Sequence, residues 1–104
     1  MITAAAFKTL ALSFPETSEQ PHFEKTAFKS KKIFATLDAS GTLACLMLSL
    51  IDQSVFSAFD PSVIYPVPNK WGRQGATYFD LKTVRISMLK DALQQAYHKS
   101  IAKK

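Results

Sequence analysis

Apolar residues recur at helical spacing near both ends of the chain and at strand spacing between them, and this switch of period restricts it to a mixed fold. Ala6, Phe7, Leu10, Ala11 and Phe14 fall on one stripe of a helix expected over Thr3 to Phe14. Pro15 stops it, because the residue before a proline avoids the α region. β-Formers then dominate three runs, Phe23 to Lys29, Lys32 to Leu37 and Thr42 to Leu48. Ser30-Lys31 is short enough for a tight hairpin, and Asp38-Ala39-Ser40-Gly41 has turn-forming residues at both ends.

The run Thr42 to Leu48 is apolar on both faces, which predicts a central strand with helices over one face and a second burial surface on the other. A homodimer is one way to supply that surface. Ser49 followed by Asp52 marks a helix start, and the helix is expected to reach Asp60 and to bury Val55, Phe56 and Phe59. Val63 to Val67 and Ala76 to Leu81 have strand character, with Pro66 and Pro68 confining the first to an edge or an irregular path. Leu89, Ala92, Leu93, Ala96, Tyr97 and Ile101 then define an amphipathic helix from about Ser87. The expectation is one α+β domain over residues 1–104, two-layered, in the order α-β(3)-α-β(2)-α, with about five antiparallel strands covered by helices. Phe7, Leu10, Phe14, Leu46, Phe59, Leu89, Leu93 and Tyr97 should be mostly buried.

Cys45 is the single cysteine, so neither an intramolecular disulfide nor a thiolate-rich zinc site can be assembled, and a reducing, cytoplasmic setting follows most simply. The first residues have no basic stretch ahead of an apolar core, and no apolar run reaches the roughly 18 residues that span a bilayer. No membrane association is expected.

Thirteen Lys and Arg against eight Asp and Glu give a formal charge of +5, unevenly distributed. Residues 25–32 hold four lysines, Lys25, Lys29, Lys31 and Lys32, while residues 33–69 hold three aspartates and no cation. Lys70, Arg73, Lys82, Arg85 and Lys90 against Asp80 make a second basic region, followed by Lys99, Lys103 and Lys104 against Asp91. The first hairpin and the segment Asn69 to Gly75 are thus the two candidate anion-binding surfaces. Within the second, Trp71-Gly72-Arg73-Gln74-Gly75 combines a stacking ring, a forked cation and an amide between glycines. Arg and Gln are residue types that meet guanine and adenine edges. The same segment has a structural reading: the ring packed at a sheet edge and the glycines holding positive φ.

His22, with Glu24 two residues on, has the chemistry of a general base, but nothing completes a catalytic set. Cys45 lies in an apolar strand, where a thiol behaves as a small hydrophobe, and His98 belongs to the surface of the last helix. The carboxylates are scattered singly, and no phosphate loop, dinucleotide fingerprint or hydrolase elbow occurs. No metal, no cofactor and no enzymatic activity are expected.

Leu10 to Thr17, Pro21 to Phe28, Lys32 to Leu37 and, above all, Trp71-Gly72-Arg73-Gln74-Gly75-Ala76-Thr77 resemble, in order and spacing, the MmcQ/YjbR family. The resemblance implies an α-β(3)-α-β(2)-α arrangement similar to secretion-chaperone-like and CyaY-like folds. It also implies DNA binding, by likeness to the double-wing domain of a phage transcription factor. His22, Phe23, Lys25, Phe28, Trp71, Gly72, Arg73, Gln74 and Gly75 match positions the family shares, whereas Ala76 stands where relatives often have a large aromatic.

Three classes of function follow. A nucleic-acid-binding module would use Lys25, Lys29, Lys31, Lys32, Lys70, Trp71, Arg73 and Gln74. A protein-interaction module would resemble secretion chaperones, which are typically acidic, so the charge of +5 counts against it. A small-ligand binder would show a concave pocket joining His22 to Arg73.

Overall fold

A computed structural model describes residues 1–102 of the chain. The elements are α1 (Ala4–Leu12), β1 (Ser18–His22), β2 (Lys25–Lys29), β3 (Ile33–Leu37), β4 (Leu43–Met47), α2 (Leu50–Phe59), β5 (Ile64–Pro66), α3 (Lys70–Arg73), β6 (Ala76–Asp80) and α4 (Ile86–Ile101). All six strands form one antiparallel sheet in the order β1-β2-β3-β4-β6-β5, so the fold is α+β. None of the described helices is long and apolar enough to cross a membrane.

The expected sheet lacked β1. Ser18-Glu19-Gln20-Pro21-His22 has little intrinsic strand preference, but it pairs with β2 along its whole length and lies at the sheet edge, where a proline is tolerated. β5 forms the opposite edge and carries Pro66, as expected. A further difference is α3, a single turn within a segment expected to be loop, capped by Asn69, whose side chain accepts from the Trp71 amide at 2.9 Å.

One irregularity sets the core. Phe28 pairs with Ala35 but Lys29 with Ile33, so Phe34 is an extra residue on β3. The bulge puts Phe34 and Ala35 on the same side of the sheet, and both are fully buried. Phe34 meets Phe14 and Tyr97 edge-on at 6.0 and 5.7 Å, Phe14 stacks on Tyr97 at 4.7 Å, and the Tyr97 hydroxyl donates to the Pro15 carbonyl at 3.0 Å. That cluster ties α1, α4 and β3 together. Phe7, Leu46, Leu89, Leu93 and Tyr97 are buried as expected, and Leu10 and Phe14 pack half-buried against the same core.

Phe59 and Val55 are the exceptions, 68% and 51% exposed. The buried residues of α2 are Phe56 and the polar Gln53, three positions apart on one stripe. Gln53 donates through Nε2 to the carbonyls of Gly72 (2.8 Å) and Ala76 (3.1 Å). Meeting those two acceptors fixes the helix rotation, and Ile51, Val55 and Phe59 are carried to the outside.

Candidate nucleic-acid interface

Alternation along a strand sends successive side chains to opposite faces, and the register places Phe28, Leu37, Ala44, Leu46, Phe79 and Ile64 on the helix side. The opposite face carries one cross-strand row, Gln20, Ala27, Thr36, Cys45, Tyr78 and Tyr65, each residue paired directly with the next. α3 borders this row, with Trp71 lining the same hollow as Thr36, Cys45 and Tyr78. Tyr65 and Tyr78 meet edge to face at 5.7 Å.

The open face is hollowed into a trough of about 400 Å³ between the β1–β2 turn and α3. Its floor is Ile33, Cys45, Met47 and Ala76, and its walls include His22, Lys25, Tyr78 and Trp71. Lys25 is its one charged lining residue, so no carboxylate opposes it. A second hollow of about 260 Å³ shares Ile33 and Met47 with the first and adds Lys32 and Lys99 to the rim. Lys29 projects from the same strand face as Lys25, two pairs of positions along β2, and Lys31 is exposed in the turn that follows. The first basic patch therefore borders the open face. Lys103 and Lys104 lie outside the described residues.

The second patch is divided. Lys70 places its ammonium 5.7 Å from the centre of the Trp71 ring, and Trp71, 52% exposed, stands at the trough wall. Arg73 lines a different, shallow crevice with Gln53, Pro66 and Pro68. On a helix two residues lie about 200° apart around the axis, so a single turn sends Trp71 and Arg73 to opposite sides. Gln74, the exposed C-cap residue of α3, is not part of the trough either. The concavity thus joins His22 to Trp71 rather than to Arg73.

The two glycines of this segment answer to packing. A Cβ on Gly72 would stand 1.9 Å from the Val67 carbonyl oxygen, and one on Gly75, at φ 107°, would stand 1.8 Å from that of Leu48. Gly75 also accepts the Leu48 amide at 3.0 Å, tying α3 to the end of β4. With the Gln53 bonds, these contacts fix the turn that presents Trp71.

Cys45 lies mid-floor. Burial raises its thiol above the ordinary range, against the charge of Lys25 and hydrogen bonds from the Thr77 amide and the Thr36 hydroxyl, so it remains a neutral, weakly polar group. His22 touches Phe23 edge-on at 4.9 Å. Phe23, expected to open a strand, instead occupies the β1–β2 turn at φ 59° and is 94% exposed. Glu24 shares that turn, outside both β1 and β2, so it does not lie on a strand face with His22. Among the described residues no three His, Cys, Asp or Glu side chains cluster as a metal site would require.

No protein-family model matches the chain, and no curated protein matches it. Among solved structures, the fold is similar to the crystal structure of the Deinococcus radiodurans protein DR2400, which carries a DUF419 domain. The two superpose with a TM-score of 0.82 over 100% of this chain and 84% of that one, at 20% sequence identity. The chain therefore shares its fold with that protein.

Proposed function

We propose that this domain is a non-enzymatic nucleic-acid-binding module of the MmcQ/YjbR type that presents its open sheet face to DNA. The observation that carries the proposal is the placement of charge: Lys25, Lys29, Lys31, Lys32 and Lys70 border one face whose trough is lined by no carboxylate and on which Trp71 and Tyr78 are accessible, Asp80 lying further along β6. Cations at a rim attract phosphates, and aromatic rings within it offer stacking surfaces. The likeness in fold to a DUF419 domain fits the family resemblance of Pro21 to Phe28 and Trp71 to Thr77. A reducing, cytoplasmic setting goes with this proposal, since Cys45 is the single cysteine and sits at the interface as a thiol.

A salt series tests it. For about five phosphate contacts, log K for random duplex or single-stranded DNA should fall against log salt with a slope of about −4.5 for duplex and about −3.5 for single strand. Lys31→Ala with Lys32→Ala should make the slope shallower by about two units, equally on every sequence. Arg73→Ala should leave it unchanged, because Arg73 lines a separate crevice off the face. Absence of binding to any DNA at roughly 50 mM salt, where screening is weak, refutes the proposal.

One observation favours a protein-interaction module as the second reading. Ile51, Val55 and Phe59 form an exposed apolar stripe at four-residue steps along the outside of α2.

A further inference from the structure

Resting on the nucleic-acid reading, we infer that the trough is built for the bases of a single strand, held between Trp71 and Phe23 with the phosphates along the lysine rim. Four observations converge on this ligand. First, the floor of Ile33, Cys45, Met47 and Ala76 is apolar, and the neutral thiol of Cys45 adds no charge. A duplex turns its charged backbone outward, so docking one here would strip water from phosphates against hydrocarbon, whereas unpaired bases bring flat faces that suit such a floor.

Second, the volume of about 400 Å³ is that of a small-ligand pocket and accommodates a few bases. The neighbouring hollow that shares Ile33 and Met47 continues the track toward Lys32 and Lys99. A chain of nucleotides can follow both, and a lone nucleotide fills only one.

Third, Lys70 covers Trp71 from one side, which leaves the other ring face for a base and keeps a cation beside the phosphate that accompanies it. Tyr78, held edge to face by Tyr65, gives a second platform inside the trough.

Fourth, Phe23 is strained and solvated at once. A bulky side chain at φ 59° costs roughly 1 to 2 kcal/mol, and 94% exposure recovers nothing from packing. A turn of two residues would be more stable with Asn or Gly there. Its ring stands 4.9 Å from that of His22, which lines the trough, so a strand leaving the trough past His22 would meet an exposed aromatic face. A strand of phosphates complements Lys25 and Lys29, whereas a second copy of this chain would bring more lysines to the same face.

The test compares a labelled 20-nucleotide oligothymidylate, its oligouridylate counterpart, a random 20-base-pair duplex and thymidine monophosphate, all at roughly 50 mM salt, by anisotropy and by the fluorescence of Trp71, the one tryptophan. Either single strand should quench Trp71 and bind at least tenfold more tightly than the duplex. Trp71→Leu and Tyr78→Ala should each lose about 5- to 100-fold for the single strand and change duplex binding little. Tyr78→Phe should retain the affinity. Phe23→Asn should weaken the single strand several-fold while raising the melting temperature, a pairing that damage to the fold cannot produce.

Equal affinity for duplex and single strand without quenching overturns the inference and leaves the nucleic-acid reading standing. Single-strand binding indifferent to Trp71, Tyr78 and Phe23 also overturns it, as does monophosphate binding as tight as the 20-mer. Failure of all four ligands removes both.

Discussion

Replacing Gln53 by Met tests whether one buried amide positions the Trp71 turn. Met has a similar length and fits the same stripe of α2, but it donates nothing to the Gly72 and Ala76 carbonyls, which Gln53 reaches at 2.8 and 3.1 Å. Each of those carbonyls has another partner: Gly72 accepts from the Gly75 amide at 3.1 Å, and Ala76 from the Val67 amide at 3.0 Å. Neither is left bare, so the cost belongs at the ordinary net value of about 1 kcal/mol per bond, or about 2 kcal/mol in all. For a domain of this length that corresponds to a fall in melting temperature of about 10 °C. Urea titration followed by far-ultraviolet circular dichroism gives the free energy, and Trp71 fluorescence reports the local turn. Gln53→Glu provides the complementary sign. Its carboxylate would face two carbonyl oxygens, and burial among acceptors raises its pKa in the folded state, so this variant should gain stability as pH falls and a donor proton returns. If Gln53→Met matches the parent to within about 0.5 kcal/mol with unchanged fluorescence, the assignment of Gln53 as the latch is wrong.

Gly75→Ala should cost about 3 kcal/mol or more in chemical denaturation, since it adds a side chain at φ 107° and drives it into the Leu48 carbonyl. Leu93→Ala, which empties a fully buried site on α4, should cost on the order of 2 to 5 kcal/mol by the same measurement. Burial works to raise the Asp38 carboxyl, but hydrogen bonds from the Ser40 hydroxyl and the Leu43, Thr42 and Gly41 amides outweigh it and hold the group below its ordinary value. Its contribution is therefore complete above about pH 4 and is lost as pH falls through the lowered value, so Asp38→Asn should cost about 1 kcal/mol at neutral pH and progressively less in acid titrations.

How much of this fold was legible depended on whether a segment's own residues chose its structure. The stripe of α4 and the Ser49 cap of α2, whose hydroxyl accepts from the Asp52 amide at 3.1 Å, are local and were readable. β1 was not, because Ser18 to His22 becomes a strand only by pairing with β2. The outward turn of Val55 and Phe59 was also hidden, because counting apolar positions gives no weight to a glutamine. Gln53 wins the inner face through acceptors 19 and 23 residues away in sequence. One missed element had a local signal: Asn69 after Pro68 is a helix-start pattern, and it would have identified α3.

That missed turn decides what the candidate site is. Taken as a loop, Trp71-Gly72-Arg73-Gln74-Gly75 is one surface in which ring, guanidinium and amide act together. As a single helical turn it is a divider, with Trp71 on the open sheet face and Arg73 on the crevice beside Gln53. The lysines of residues 25–32 then matter more than Arg73, because strand alternation puts Lys25 and Lys29 on the face that Trp71 borders. The apolar character of β4 on both sides acquires a separate meaning for each. Ala44 and Leu46 build the core under the helices, while Cys45 and Met47 stay half-buried on the floor of a trough with room for a ligand. A strand that serves only to hold a two-layer domain together needs one apolar face; on the proposed reading, the bases of a bound strand cover the second.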